Sequence, residues 1–275
     1  MSMMNKRAIL IILLFLLTPL LAEDKQDVKP VSKDEILNEL KNAPKTNPDR
    51  EKKLATLYQQ AGAKKEEVKL QKFTGGGTDM NNVIVVKKGE TDKTIIIGGH
   101  LDKVDKGNGI IDDWSGASMA TNVYQTFRTV KTKHTLIFIG FAGEEIGLLG
   151  SKHYVSQMTT DDRKNCTAMV NLEVLGVGGP FIWTNGSTDS LEAKLHSVAK
   201  DEKLELKDHV INGVGADSQP FEKVGIQNIT IDGLPDDKLS YIHSENDKFE
   251  NINKDTYYNT YKLVIAFVKR LDKEE

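Results

Sequence analysis

Two rhythms of apolar residues alternate along the chain. Ile95, Ile96 and Ile97 form a β-branched run closed by Gly98-Gly99, and Leu136, Ile137, Phe138, Ile139 and Phe141 repeat it before Gly143. Runs of this length and composition predict buried strands. Cys166 to Leu175, Phe181 to Thr184 and Ile226 to Ile231 read the same way. Between them lie stretches with helical spacing. The small and apolar residues of Ala117 to Val130 suit a helix, as do Ile146 to Met158, Asp189 to Lys200 with Leu191, Leu195 and Val198 on one face, and the short Asp217 to Val224. Lys254 to Leu271 predicts a long helix carrying Tyr261, Leu263, Val264, Phe267 and Val268. Nearer the start, Ile36, Leu37 and Leu40 follow the capping candidates Ser32 and Asp34, and Leu54, Leu57 and Tyr58 mark a second helix within Asn47 to Ala61. Val68 to Phe73 and Val83 to Lys87 predict a hairpin, with Gly75-Gly76-Gly77 and Asn81-Asn82 between its strands. The glycine run has no following Lys-Ser or Lys-Thr, so it reads as a loop and not as a phosphate cradle. Strands alternating with helices predict an α/β fold: a single three-layer domain whose central mixed, mostly parallel sheet is covered by helices on both faces.

The first residues break this pattern. Lys6-Arg7 precede an apolar run from Ala8 to Leu17, and Ala22 stands before Glu23-Asp24, which predicts a signal peptide over residues 1–22. The run is short for a spanning helix, which needs about 20 apolar residues, and an uncleaved membrane anchor is the alternative. The expected location is therefore secreted or periplasmic, without stable membrane association once the signal is removed. Residues 23–31, charged and holding Pro30, read as a tether, and residues 32–275 as the folded domain. Lys6 and Arg7 are the only charged residues of the signal, so its removal takes the net charge from −3 to −5. That balance argues against nucleic acid as a partner. Cys166 is the single cysteine, which excludes an internal disulfide and leaves stability to the core or to bound metal.

The chemistry sits where the strand-like runs stop. His100 and Asp102 follow the first run, Glu144 and Glu145 the second, and Glu173 lies near the end of the third; Asp112-Asp113 precedes Ser115-Gly116, and His243 stands in the loop Tyr241 to Asp247. In open α/β sheets ligands bind beyond the carboxyl ends of the strands, so these groups are expected to converge on one crevice. Two imidazoles and three carboxylates from this constellation make a hard set of nitrogen and oxygen donors suited to zinc, with cobalt or manganese as substitutes. The absence of thiolates favours an open catalytic site over a closed structural one. Singly, each residue has a plainer reading: Asp102 or Asp113 as a solvated acid or helix cap, Glu144-Glu145 as a surface pair, His100 as a structural histidine. His134, His153, His196 and His209 have no comparable context and read as surface or packing residues.

The series GGHLD, DDxSG, AGEExGLLGS, a strand acid and IHS resembles the co-catalytic zinc aminopeptidases of peptidase family M28 across most of the chain. The resemblance implies two zinc ions bridged by Asp112, one completed by His100 and Glu173, the other by Glu145 and His243. It further implies Asp102 as the carboxylate that holds the His100 imidazole, Glu144 as general base, and Tyr241 as an aid to the oxyanion. The spacing is consistent with these roles: a carboxylate two residues from a ligating histidine can fix its tautomer. Consecutive glutamates on extended backbone point different ways, so one can ligate while the other acts as base. Two departures stand out: Trp114 at the variable position of DDxSG, expected to wall the pocket or shift the following helix, and Glu173 where many relatives carry Asp.

The activity expected is removal of N-terminal residues from peptides with a free N-terminus. Two rivals share the reading: a glutaminyl-cyclase-like enzyme of the same fold, and a catalytically silent peptidase-like binding ectodomain. The distances in sequence from Glu145 to Glu173 and on to His243 leave no space for a large lid domain, so access is expected through surface loops.

Overall fold

The computed structural model of the chain describes residues 28–274. The predicted signal peptide and residues 23–27 of the predicted tether lie outside them. The described end of that tether is packed: Val31 is buried, its N–H donates to the Tyr261 hydroxyl at 2.9 Å, and its carbonyl accepts from Tyr258.

The elements follow in order as α1 (Lys33–Lys41), α2 (Asn47–Gln60), β1 (Val68–Gly75), β2 (Thr78–Lys87), β3 (Thr94–His100), α3 (Ser115–Phe127), β4 (Thr135–Phe141) and α4 (Leu149–Gln157). Then come α5 (Thr160–Asn165), β5 (Cys166–Glu173), β6 (Phe181–Trp183), α6 (Asp189–Glu202), β7 (Lys207–His209), α7 (Gln219–Glu222), β8 (Asn228–Asp232) and α8 (Lys254–Asp272). Side-chain caps set the first helices: Ser32 accepts from the Glu35 amide and Thr46 from the Asp49 amide.

The strands form one mixed sheet in the order β1-β2-β4-β3-β5-β8-β6-β7. Its centre, β4-β3-β5-β8, is parallel, as is β6-β7, while β1-β2, β2-β4 and β6-β8 are antiparallel. Alternation along the strands assigns side chains to two cores. Ile95 and Ile97 join the larger core with residues of α1, α2, α3, α6 and α8; Ile96 joins the smaller one with Val155 of α4 and Phe221 of α7. The three-layer α/β expectation therefore holds, because the central strands are apolar on both faces.

One local expectation changes, and two short elements had none. Asn81 and Asn82 lie inside β2, and the hairpin turns on Gly76 and Gly77, whose φ angles of 56° and 78° suit a tight two-residue turn. Asn82 behaves as a buried tie: its amide donates to the Gly150 carbonyl and its oxygen accepts from the Ala142 amide. The polar helix α5 depends on a capping box between Thr159 and Asp162, and the edge strand β7 buries only His209, so neither carries a hydrophobic rhythm. Cys166 is a buried free thiol, pushed up to about 12 by burial. No helix among the described residues is long and apolar enough to cross a membrane.

Candidate metal centre

The parallel strands deliver their carboxyl ends to one side of the sheet. His100 is the last residue of β3, Glu173 the last of β5 and Asp232 the last of β8, while Glu144 and Glu145 follow β4. The connection from β3 to α3 supplies Asp102, Asp112 and Asp113, and the loop from β8 to α8 supplies His243.

Asp112 stands between two imidazoles. Its Oδ1 lies 3.0 Å from His100 Nε2 and its Oδ2 lies 3.1 Å from His243 Nε2. Glu173 Oε1 is 3.5 Å from the same His100 nitrogen, and Glu145 Oε2 is 2.9 Å from the same His243 nitrogen. The structure thus forms two groups, His100–Asp112–Glu173 and Asp112–Glu145–His243, in each of which one donor atom per residue lies within 4.8 Å of the others. The Asp112–Asp113 peptide is cis.

The surroundings explain how each donor is held. Asp102 accepts the Glu144 amide on Oδ1 at 3.1 Å and the Glu145 amide on Oδ2 at 3.3 Å, and its Oδ1 is 3.6 Å from His100 Nδ1. It therefore ties the end of β4 to the start of the β3–α3 connection as well as facing the imidazole. Glu144 and Glu145 do not lie on extended backbone: the Glu144 carbonyl accepts from the amides of Gly147 and Leu148, closing a turn. It is this turn that separates the two side chains. Asp113 is fully buried and unsolvated. It caps α3 through the Gly116 amide, and it also accepts the amides of His100 and Val174, joining the ends of β3 and β5. Asn171 donates to Glu173 Oε2 at 2.9 Å.

Crowded carboxylates set the electrostatics. Burial pushes the Asp112 carboxyl up, but hydrogen bonds from His100 and His243 overrule it and hold it well below the ordinary range. Burial lowers the His100 proton affinity, yet the facing carboxylates of Asp102, Asp112 and Glu173 raise it well above the usual value. Glu144 is pushed up to about 9 by burial and by Glu173, Asp217 and Asp112, against His100. Glu145 rises to about 7 through burial and Asp112. Asp113 is also raised, by burial and by Glu173 and Asp112, although all its hydrogen-bond partners are donors that favour the carboxylate. The donor set fits divalent metal: hard oxygen and imidazole ligands, an excess of buried negative charge, and a buried Glu145 Oε1 with no hydrogen-bond partner.

Beside Asp112, Glu144, Glu145, Glu173 and His243 opens a cavity of about 480 Å³. Leu148, Val174, Trp183, Val214, Leu239 and Ile242 give it apolar walls. Trp114 is not among its lining residues. Its indole is fully buried against α1 and α2, donating to the Glu39 carbonyl and lying under Arg50, because position 114 faces the helical layer and not the crevice. Tyr241 does not line the cavity either; its ring lies beside the Lys238 ammonium.

Several residues escaped the sequence reading. Asp217 is fully buried without a hydrogen-bond donor on either oxygen, and burial pushes it up to about 7. His209 is packed beside Phe181 as expected, but it is also ion-paired: Nδ1 pairs with Asp232 and Nε2 with Asp236, both at 2.8 Å. His134 is buried beside Asp272, His153 stacks on Phe73, and His196 pairs with Asp208. Asp247 accepts the Ile111 amide at 2.6 Å, fastening the His243 loop to the Asp112 segment. Only Arg50 left a readable signal, an arginine in line with the apolar stripe of α2.

A mixed sheet with imidazoles and carboxylates at the ends of its parallel strands and in the adjoining loops defines an α/β domain with a candidate metal centre. Residues 82–268 match the model of peptidase family M28, and the chain belongs to that family. Aminopeptidase YwaD of Bacillus subtilis is 26% identical over 227 residues, which are 77% of this chain and 49% of that protein. The chain thus spans about half the length of this curated relative. Among solved structures, the LapA aminopeptidase of Legionella pneumophila superposes with a TM-score of 0.75 at 21% identity, covering 89% of this chain and 73% of that one. A glutaminyl cyclase from an Acidobacteriales bacterium superposes with a TM-score of 0.77 at 16% identity, covering 92% and 98%. At these identities the two structures establish the fold alone.

Proposed function

We propose that the chain is an exported aminopeptidase that works with two zinc ions and removes the N-terminal residue of peptides. The observation that carries this reading is the sharing of Asp112 between two donor groups, with Glu144 beside them and free of either. His100, Asp112 and Glu173 would hold one ion, and Asp112, Glu145 and His243 the other. Zinc in such a pair would polarise the scissile carbonyl and make water acidic enough to react near neutral pH.

The chain's own groups do the rest. Glu144, on the cavity wall, takes the proton of the attacking water as the water oxygen bonds to the carbonyl carbon. It then delivers that proton to the nitrogen as the C–N bond breaks. Its raised proton affinity suits the second step, and cationic charge among the carboxylates works in the opposite sense and frees it for the first. Glu173, which lines the cavity, offers a carboxylate to the free α-amine of the substrate. The apolar walls suit a large hydrophobic N-terminal side chain, since burying such a side chain contributes about 1.5–3 kcal/mol.

The likeness in fold to a glutaminyl cyclase supports a second reading, in which the substrate's own amine attacks and pyroglutamate forms. One experiment separates them. Protein dialysed against chelator is titrated with zinc and given a leucyl peptide, its acetylated form and a glutaminyl peptide. Activity returning at two zinc per chain, with free leucine released only from the unblocked peptide, supports the aminopeptidase. Pyroglutamate as product establishes the cyclase, and full activity without metal overturns both.

A further inference from the structure

The connection from His100 to Asp112 is a loop whose two ends meet on a single side chain. Arg50, fully buried on α2, donates through Nη1 to the Leu101 carbonyl at 3.2 Å and to the Asp102 carbonyl at 3.5 Å. Its Nη2 donates to the carbonyls of Asn108 at 2.8 Å and Gly109 at 2.6 Å. Nε donates to the Pro44 carbonyl at 3.0 Å. One face of the guanidinium lies 5.5 Å from the centre of the Trp114 ring. A planar, permanently charged fork can satisfy several carbonyls at once in fixed directions, which a lysine ammonium cannot.

These contacts begin one residue after His100 and end three before Asp112. Gly109 has a left-handed backbone with φ of 61°, and a Cβ there would come within 2.5 Å of Arg50 Nη2, so the glycine and the arginine form one unit. The same segment supports the other donor group. The Asn108 amide donates to the Asp247 carbonyl at 2.9 Å, and the Ile111 amide to its carboxylate, so the His243 loop rests on the part of the chain that Arg50 pins. Arg50 lies outside residues 82–268, the span matched by the family model.

We infer that Arg50, stacked on Trp114, is the positioning residue that fixes Asp112 between the two imidazoles and so prepares both donor groups for metal. The inference rests on the two-metal reading for its functional consequence and on backbone geometry for its mechanism. It also gives Trp114 a role: the indole is the floor under the guanidinium.

The test compares wild type with Arg50→Lys, which keeps the charge and loses the fork. Two readouts are used: hydrogen exchange at the Asn108 and Ile111 amides in metal-free protein, and zinc affinity. Exchange at those amides should rise at least about tenfold while Ile96 and Ile97 in β3 stay protected, and zinc affinity should fall about 10–100-fold, the range for partners that orient metal ligands. A folded Arg50→Lys protein with unchanged exchange or unchanged zinc affinity overturns the inference, since a purely structural arginine would change melting alone. If that variant fails to fold, Trp114→Leu decides, with smaller changes of the same sign expected and wild-type values in both readouts overturning it. If wild-type protein binds no zinc, the metal reading falls and the exchange measurement decides the clamp by itself.

Discussion

Asp102 offers the sharpest test of how the centre is held. Substitution by Asn keeps the volume and removes one acceptor. Oδ1 accepts the Glu144 amide and lies 3.6 Å from His100 Nδ1, whereas Oδ2 accepts only the Glu145 amide, at the longer distance of 3.3 Å. The favoured orientation therefore keeps oxygen at Oδ1 and turns the new NH2 toward the Glu145 N–H, donor against donor. Leaving one buried amide without an acceptor costs about 1–3 kcal/mol, equivalent to about 5- to 150-fold in a binding constant. This spans the about 10–100-fold found for groups that orient metal ligands. The lost charge weakens both donor groups alike, so the informative quantity is the difference between them. Zinc titration against a chromophoric competitor should show the group containing Glu145 weakened more than the group containing His100 by that factor, with kcat/KM falling in parallel. Equal affinities at both groups, or greater weakening at the His100 group, would refute the assignment of Asp102 as a tie for the Glu145 backbone.

Two further outcomes are expected. Glu144→Gln should keep its zinc content and lose about 10²–10⁴ in kcat, the usual contribution of general acid–base catalysis; loss of zinc in Glu144→Gln with zinc kept in Glu145→Gln would exchange the two roles. His209 is raised to about 9 by its hydrogen bond to Asp232, against burial and with help from Asp236, so the stabilisation it brings is complete below about 6.5 and is lost as pH rises through 9. The gap in urea midpoint between wild type and His209→Gln should accordingly be wide at pH 6.5 and narrow at pH 9.5, and a constant gap would refute the ion-paired imidazole.

The elements most legible in the sequence were those whose burial leaves a rhythm. Ile95 to Ile97 and Leu136 to Phe141 announce central strands because both faces are covered, and the glycine or acid after each run marks the end where the donors emerge. His100, Asp112, Glu145, Glu173 and His243 were singled out by the family resemblance among the acids and histidines at strand ends and loops, and the structure brings all five together. Their supports were hidden for physical reasons. Asp113 looked like a cap, and its bonds to the amides of His100 and Val174 are tertiary contacts that no local pattern records. Trp114 was expected to wall the pocket or shift the following helix because the peptide chain says nothing about which layer a turn faces. His209 pairs with acids 23 and 27 residues away, beyond any periodicity. Glu144 and Glu145 were expected on extended backbone, but Gly143, with φ of 73°, turns the chain after β4.

The distribution of proton affinities singles out one residue of the centre. Asp112, Asp113, Glu144, Glu145 and Asp217 all experience the same strong push from burial, yet only Asp112 is drawn below the ordinary range. The difference is geometric: Asp112 alone has an imidazole on each oxygen, while Asp113 is satisfied by backbone amides and Asp217 has no donor on either oxygen. A carboxylate can be engaged on both oxygens at once only if its backbone fixes both directions together, because rotating to favour one partner costs the other. That requirement falls on the segment from Leu101 to Asp112, which bears no regular secondary structure until Ile110 and so cannot hold itself. The buried polar side chains of Arg50, Asp113 and Asp247, each bonded to backbone groups at or beside the ends of that segment, supply the missing rigidity. Burying them is costly unless every hydrogen bond is made. The arrangement therefore places the stability cost of these buried groups on holding Asp112, the carboxylate proposed to be shared between the two donor groups, in place.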